Sequence, residues 1–160
     1  MKTVTITWQP GAARFEARGG HEGQTLAINA PHEGGPVTGF SATELLLAGA
    51  GACSAWDVVE ILRKQQQHIS AVEVEVRGEQ DEQPPWPYRR LQLRFTVRGT
   101  GLRLAAVQRA VDLSVERYCS VLATVRGVAA IGTEVEVTDD EVTHDEGTNI
   151  QVGTPARTEG

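Results

Sequence analysis

SATELLLAGAGACSAWDVVEILRK (residues 41–64) is the stretch from which the rest of the chain is read. Ser41 and Glu44 stand at capping-box spacing: the serine hydroxyl serves the amide three residues on, and the glutamate reaches back to the serine amide. The helix so opened is expected to run to about Gln67, with Arg63 and Lys64 near the negative end of its dipole. Residues 48–55 are an unbroken run of small side chains. Each glycine in a helix interior costs roughly 1 kcal/mol relative to alanine, so another backbone is expected to approach Gly49 and Gly51 closely. The Gly-Ala-Gly segment lacks a third glycine and sits inside a helix, which argues against a dinucleotide phosphate loop. Beyond Ala55, the positions Val58, Val59, Ile61 and Leu62 form an ordinary apolar face.

Cys53 lies in this helix, and Cys119 lies in a second helix-like run, LAAVQRAVDLSVERYCSVLATV; the chain has no other cysteine. They are too far apart in sequence for a zinc knuckle or a Cys-x-x-Cys motif. On the residues alone two readings stand open. The thiols are one functional pair, or they are inert core thiols, since free cysteine is among the most buried residue types.

Period-two alternation marks the strands. Val4, Ile6 and Trp8 predict a first strand with one buried face, and residues 13–17 and 24–29 two weaker ones around a glycine-rich turn. After the first helix, Val72, Val74 and Val76 alternate with Glu73, Glu75 and Arg77. Leu91, Leu93, Phe95 and Val97 alternate with Arg90, Gln92, Arg94, Thr96 and Arg98. These two runs read as an antiparallel pair, one face buried and one solvated. A second helix is expected over residues 102–126, and Val135 and Val137 give a last strand. Strands clustered between helices argue for an α+β fold with antiparallel sheets, not a doubly wound one.

The length of 160 residues suits one domain, placed at residues 1–138, with an acidic tail at 139–160 expected to be disordered. A net charge of −6 argues against a nucleic-acid partner. MKTVTITWQP has no apolar h-region, so no signal peptide is expected. No uninterrupted apolar run approaches the roughly 18 residues of a membrane span. A soluble cytoplasmic protein is the expectation, and in a reducing compartment a thiol pair is redox-active or metal-binding more often than a permanent staple. His21, His32, His68 and His144 are scattered, so neither a metal site nor a cofactor is expected.

GFSATELLLAGAGACSAWDVVEILRK followed by VERYCSVLATV resembles the OsmC/Ohr family of thiol peroxidases, in its OsmC-like branch. The resemblance covers about residues 1–138 and rests on both cysteine contexts, in order and spacing. It implies an intertwined homodimer with two central cysteine-bearing helices, and reduction of organic hydroperoxides with recycling by a lipoyl or other small dithiol. It makes Cys53 the peroxidatic cysteine and Cys119 the resolving one. It further implies an arginine from the N-terminal strands, Arg14 with Arg18 second, and a glutamate near the helix start, Glu44. Glu44 stands one residue closer to the cysteine than the family pattern places it. At about 100° per residue this puts it half a turn out of phase with Cys53, and its capping role is sufficient explanation. The alternative is a non-catalytic dimer of this fold that binds a small apolar ligand or senses oxidants stoichiometrically.

Overall fold

The computed structural model describes residues 2–20, 23–29, 38–140 and 152–153. His21, His144, residues 30–37 with His32, and most of residues 139–160 lie outside the described residues. The chain forms two compact units, Met1–Leu46 and Leu47–Gly160.

In the first unit, β1 (Val4–Gln9), β2 (Arg14–Gly19) and β3 (Gln24–Ile28) make an antiparallel meander in the order β1-β2-β3. The register pairs Ile6 with Ala17, Trp8 with Phe15, and Phe15 with Ile28. Direct cross-strand partners share a face, so Val4, Ile6, Trp8, Phe15, Leu26 and Ile28 gather on one side. The Trp8 and Phe15 rings lie 5.0 Å apart there. This is the face read as buried, but Val4, Ile6 and Trp8 are 61%, 53% and 50% exposed. Alternation reports which side is apolar; it does not supply the layer that would cover it. The opposite side is polar and carries Arg14, Glu16 and Arg18, the last two paired at 3.5 Å.

Helix α1 (Ala42–Lys64) opens with the expected box. The Ser41 amide donates to Glu44 Oε2 at 2.7 Å, and the Glu44 amide donates to Ser41 Oγ at 3.2 Å. In length and mean hydropathy (1.6) α1 could cross a membrane; within the fold its Ala50, Gly51, Ser54, Val58 and Leu62 are buried.

The second unit is built on β4 (His68–Gln80), β5 (Tyr88–Thr100), β6 (Ala130–Asp139) and β7 (Val152–Gly153), in that order across one sheet. The β4–β5 hairpin is antiparallel, as expected, but β5 and β6 run parallel. A helical crossover between them returns the chain to the end from which it started. Leu91, Leu93, Phe95 and Val97 are wholly buried, together with Val58 and Leu62 of α1. The other side of the sheet is charged and cross-linked by Arg94–Glu136 at 2.9 Å.

Gly51 shows why α1 carries small residues. A Cβ there would come within 2.9 Å of Val76 Cγ2. The close neighbour is thus a branched side chain of β4, not the backbone that was expected.

The crossover corrects the sequence reading most. The expected helix over residues 102–126 is broken into α2 (Leu104–Leu113), a π-helical turn (Ser114–Tyr118) and α3 (Ser120–Val125), with Cys119 extended between them. The Cys119 amide reaches the Ser114 carbonyl at 2.9 Å. Carbonyls freed by the break find a donor in the Arg126 guanidinium, which binds Glu116 O at 3.1 Å and also Val115 O. Cys119 therefore sits at a break, not within a helix.

Candidate functional site

Cys53 and Cys119 come together in the second unit. Cys53 is half-buried on the small-residue stretch of α1, whereas Cys119 is 2% exposed; both are free thiols. Extended geometry at Cys119 (φ −68, ψ 103) makes it the N-cap of α3, and its sulfur accepts from the Leu122 amide at 3.5 Å. A cysteine in this role is unusual, because oxygen side chains are the strong caps. Cys53 Sγ lies 3.9 Å from Ser120 Oγ, and Cys119 Sγ lies 4.0 Å from the Ala50 carbonyl.

The surroundings set the two thiols apart. Burial opposes ionisation of Cys53, but the Val121 amide, the Cys119 thiol and the hydroxyl and amide of Ser120 together outweigh it, and its pKa falls below the ordinary thiol value. For Cys119 burial dominates. The Leu122 amide offsets it only in part, and the bond to Cys53 and its charge add to it, so Cys119 is pushed up to about 11. The first proton to leave this pair comes from Cys53.

A third group belongs to the cluster. The Asp57 carboxylate and the two sulfurs all lie within 4.8 Å of one another, and among the described residues no other cysteine, histidine or carboxylate joins them. Ser114, wholly buried at the start of the π turn, touches Asp57 Oδ2 at 3.0 Å and the Ser54 carbonyl at 3.3 Å through its hydroxyl. Ser54 in turn donates to the Ala50 carbonyl at 2.7 Å. Sequence reasoning overlooked Asp57, although its spacing of four from Cys53 places both on one helix face. Nothing in the sequence marks Ser114 or Ser120, whose roles depend on the break at Cys119. Two thiols and a carboxylate are donors of the kind that take zinc, but they are one short of the four a structural zinc site uses.

The remaining candidates divide. Glu44 is engaged with Ser41, whose amide and then hydroxyl hold its pKa below the usual carboxylate value. Arg14 belongs to the first unit, half-buried, with its Nε buried and unpartnered. Trp56, three residues after Cys53, and Tyr118, beside Cys119, are 70% and 55% exposed.

The OsmC-like protein family matches residues 32–134, and the chain belongs to that family. It is 48% identical over 81 residues to Protein YhfA of Escherichia coli (strain K12), a match covering 51% of this chain and 60% of that protein's length. A hypothetical protein from Aquifex aeolicus VF5 is similar in structure, with a TM-score of 0.76 and 27% identity, covering 88% of this chain and 98% of that one. The organic hydroperoxide resistance protein OhrB of Bacillus subtilis shares the fold at a TM-score of 0.59 and 19% identity, over 84% of this chain and 97% of that one. An α+β fold of this family and a pair of neighbouring cysteines are therefore established.

Proposed function

We propose that the protein is a thiol-dependent peroxidase acting on organic hydroperoxides. The observation that carries this reading is the unequal pair: a half-buried Cys53 whose thiolate is favoured by neighbouring donors, beside a buried Cys119 whose thiolate is not. An unperturbed cysteine, with a pKa of about 8.5, is little ionised at neutral pH, so any lowering raises the fraction able to attack. The hydroperoxide resistance of relatives such as OhrB agrees with this chemistry.

The Cys53 thiolate attacks the outer peroxide oxygen, the O–O bond breaks, and the departing alkoxide takes a proton to leave as an alcohol. Cys53 is then a sulfenic acid. Cys119 condenses with it to a disulfide with loss of water, which guards Cys53 from irreversible oxidation. A small-molecule or lipoyl dithiol reopens the disulfide by exchange.

A second copy of the chain is the proposed cover for the apolar face around Trp8 and Phe15, as a homodimer in the cytoplasm. Arg14 is kept as a proposed polarising group on the strength of the resemblance. Purified reduced protein should consume a dithiol in a hydroperoxide-dependent way, and Cys53→Ser should abolish that turnover. Absence of turnover with several organic hydroperoxides and several dithiols would sink the proposal.

A further inference from the structure

We infer that Asp57 is the proton acceptor for Cys119 when Cys119 closes a disulfide onto an activated Cys53 sulfur, and that Ser114 positions it. This rests on the reading of the pair as redox-active, but it can be tested without peroxide.

The need comes from Cys119. A thiol attacks sulfur effectively only if its proton is lost before or during the attack, yet Cys119 is buried and is not brought toward ionisation by its surroundings. Burial is the largest cause holding Cys119 protonated, and it persists whatever the state of Cys53. While Cys53 is itself a thiolate, its charge keeps Cys119 protonated. Once Cys53 has become a neutral sulfenic acid or a mixed disulfide, that charge is gone and Asp57 is the carboxylate left in the cluster.

The geometry places Asp57 for the task. Its carboxylate is within 4.8 Å of Cys119 Sγ, a separation that one water can bridge in a proton transfer. Ser114 fixes it from a wholly buried position one π turn ahead of Cys119, so base and thiol are anchored to the same short segment. A carboxylate beside Cys53 does nothing to favour its thiolate, so the nucleophile's activation does not explain why Asp57 is there. A carboxylate is a far weaker base than a thiolate. The proton therefore moves as the S–S bond forms, when the attacking sulfur becomes positive and its proton acidic.

The step balances. Cys119 Sγ attacks Cys53 Sγ, the Cys53 S–O bond breaks, and hydroxide departs. The Cys119 proton passes to Asp57 and from there to the hydroxide, giving water, and Asp57 is again a carboxylate. From a mixed disulfide the leaving group is a thiolate, and Asp57 returns the proton to solvent.

The test uses reduced full-length protein and one equivalent of dithiobis-nitrobenzoate, a coloured aromatic disulfide. The first thiolate released reports labelling of Cys53; the second reports closure by Cys119. Asp57→Asn should label Cys53 no more slowly than the parent, since a neighbouring negative charge is removed, yet close on the order of 10²-fold more slowly, the usual scale of a lost acid–base group. Its closure should quicken about tenfold per pH unit above neutrality, because only pre-formed thiolate then attacks, whereas the parent's closure changes little. Asp57→Glu should recover part of the rate and Ser114→Ala should lose part of it, which separates a charge effect from a packing one. Closure in Asp57→Asn at the parent's rate and with the parent's pH profile would overturn the inference. A parallel arm adds one equivalent of an organic hydroperoxide, titrating thiols in the parent and trapping sulfenic acid in Cys119→Ser. If the parent keeps both thiols and Cys119→Ser yields no sulfenic acid, the peroxidase reading fails, while the aromatic disulfide arm still decides the role of Asp57.

Discussion

The Leu122 amide donates to Cys119 Sγ at 3.5 Å, so the proposed resolving sulfur is also the cap of α3. Structure and chemistry share one atom. Serine is the stronger cap, so Cys119→Ser should fold as well as the parent while losing the resolving thiol. After repeated exposure to hydroperoxide, mass spectrometry should show sulfinic acid on Cys53 in this variant and disulfide in the parent. Equal sulfinic acid in both would remove Cys119 from the resolving role.

The elevated pKa of Cys119 is a statement about stability. Its folded value of about 11 lies above the ordinary 9.0, so its contribution is complete below pH 9 and is lost as pH rises through 11. Under reducing conditions the parent should lose stability relative to Cys119→Ser across that window, with no difference in slope below it. Comparing the two proteins cancels the lysines and tyrosines that titrate in the same range. Denaturant midpoints measured from pH 7 to 11 give the answer, and parallel curves would refute the assignment.

Gly49 and Gly51 occupy the same helix but should respond oppositely to alanine. At Gly49 the nearest atom to an added Cβ is Val121 Cγ1 at 4.0 Å, an ordinary van der Waals contact. Gly49→Ala should therefore stabilise by about 1 kcal/mol through helix propensity. At Gly51 the added methyl meets Val76 Cγ2 at 2.9 Å, and Val76 is β-branched and stiff. Overpacking costs about 1–3 kcal/mol, so Gly51→Ala should be neutral to destabilising. Thermal unfolding of both variants measures the contrast; a Gly51→Ala protein as stabilised as Gly49→Ala would contradict the packing described.

Ile6 and Trp8 lie on the uncovered apolar face of β1, 53% and 50% exposed. If a second copy covers that face, Ile6→Glu should shift light-scattering mass from dimer to monomer, since burying an unpaired charge costs several kcal/mol. A parent protein already monomeric at micromolar concentration would remove the homodimer from the account.

What could be read from the sequence follows local rules. The capping box at Ser41 and Glu44, the β4–β5 pair and the strands around Trp8 were legible, because each depends on spacing alone. The break at Cys119 was not, since residues 102–126 keep an apolar helical stripe and the break is held by Arg126 binding the Val115 and Glu116 carbonyls. The parallel β6 was hidden for a related reason: a pattern of alternation carries no strand direction. Both cysteines were visible as a pair, but the groups that distinguish them, Ser120, the Val121 amide and Asp57 with Ser114, are assembled by that same break.

The central claim is that Cys53 and Cys119 act as one redox pair with Cys53 attacking first. Its most direct test is one brief pulse of a single equivalent of an organic hydroperoxide on the reduced protein, followed by thiol titration and intact-mass measurement. The account predicts loss of both thiols, a mass lower by two hydrogens, and recovery of both thiols on adding a dithiol. Two thiols still free after the peroxide pulse would contradict it.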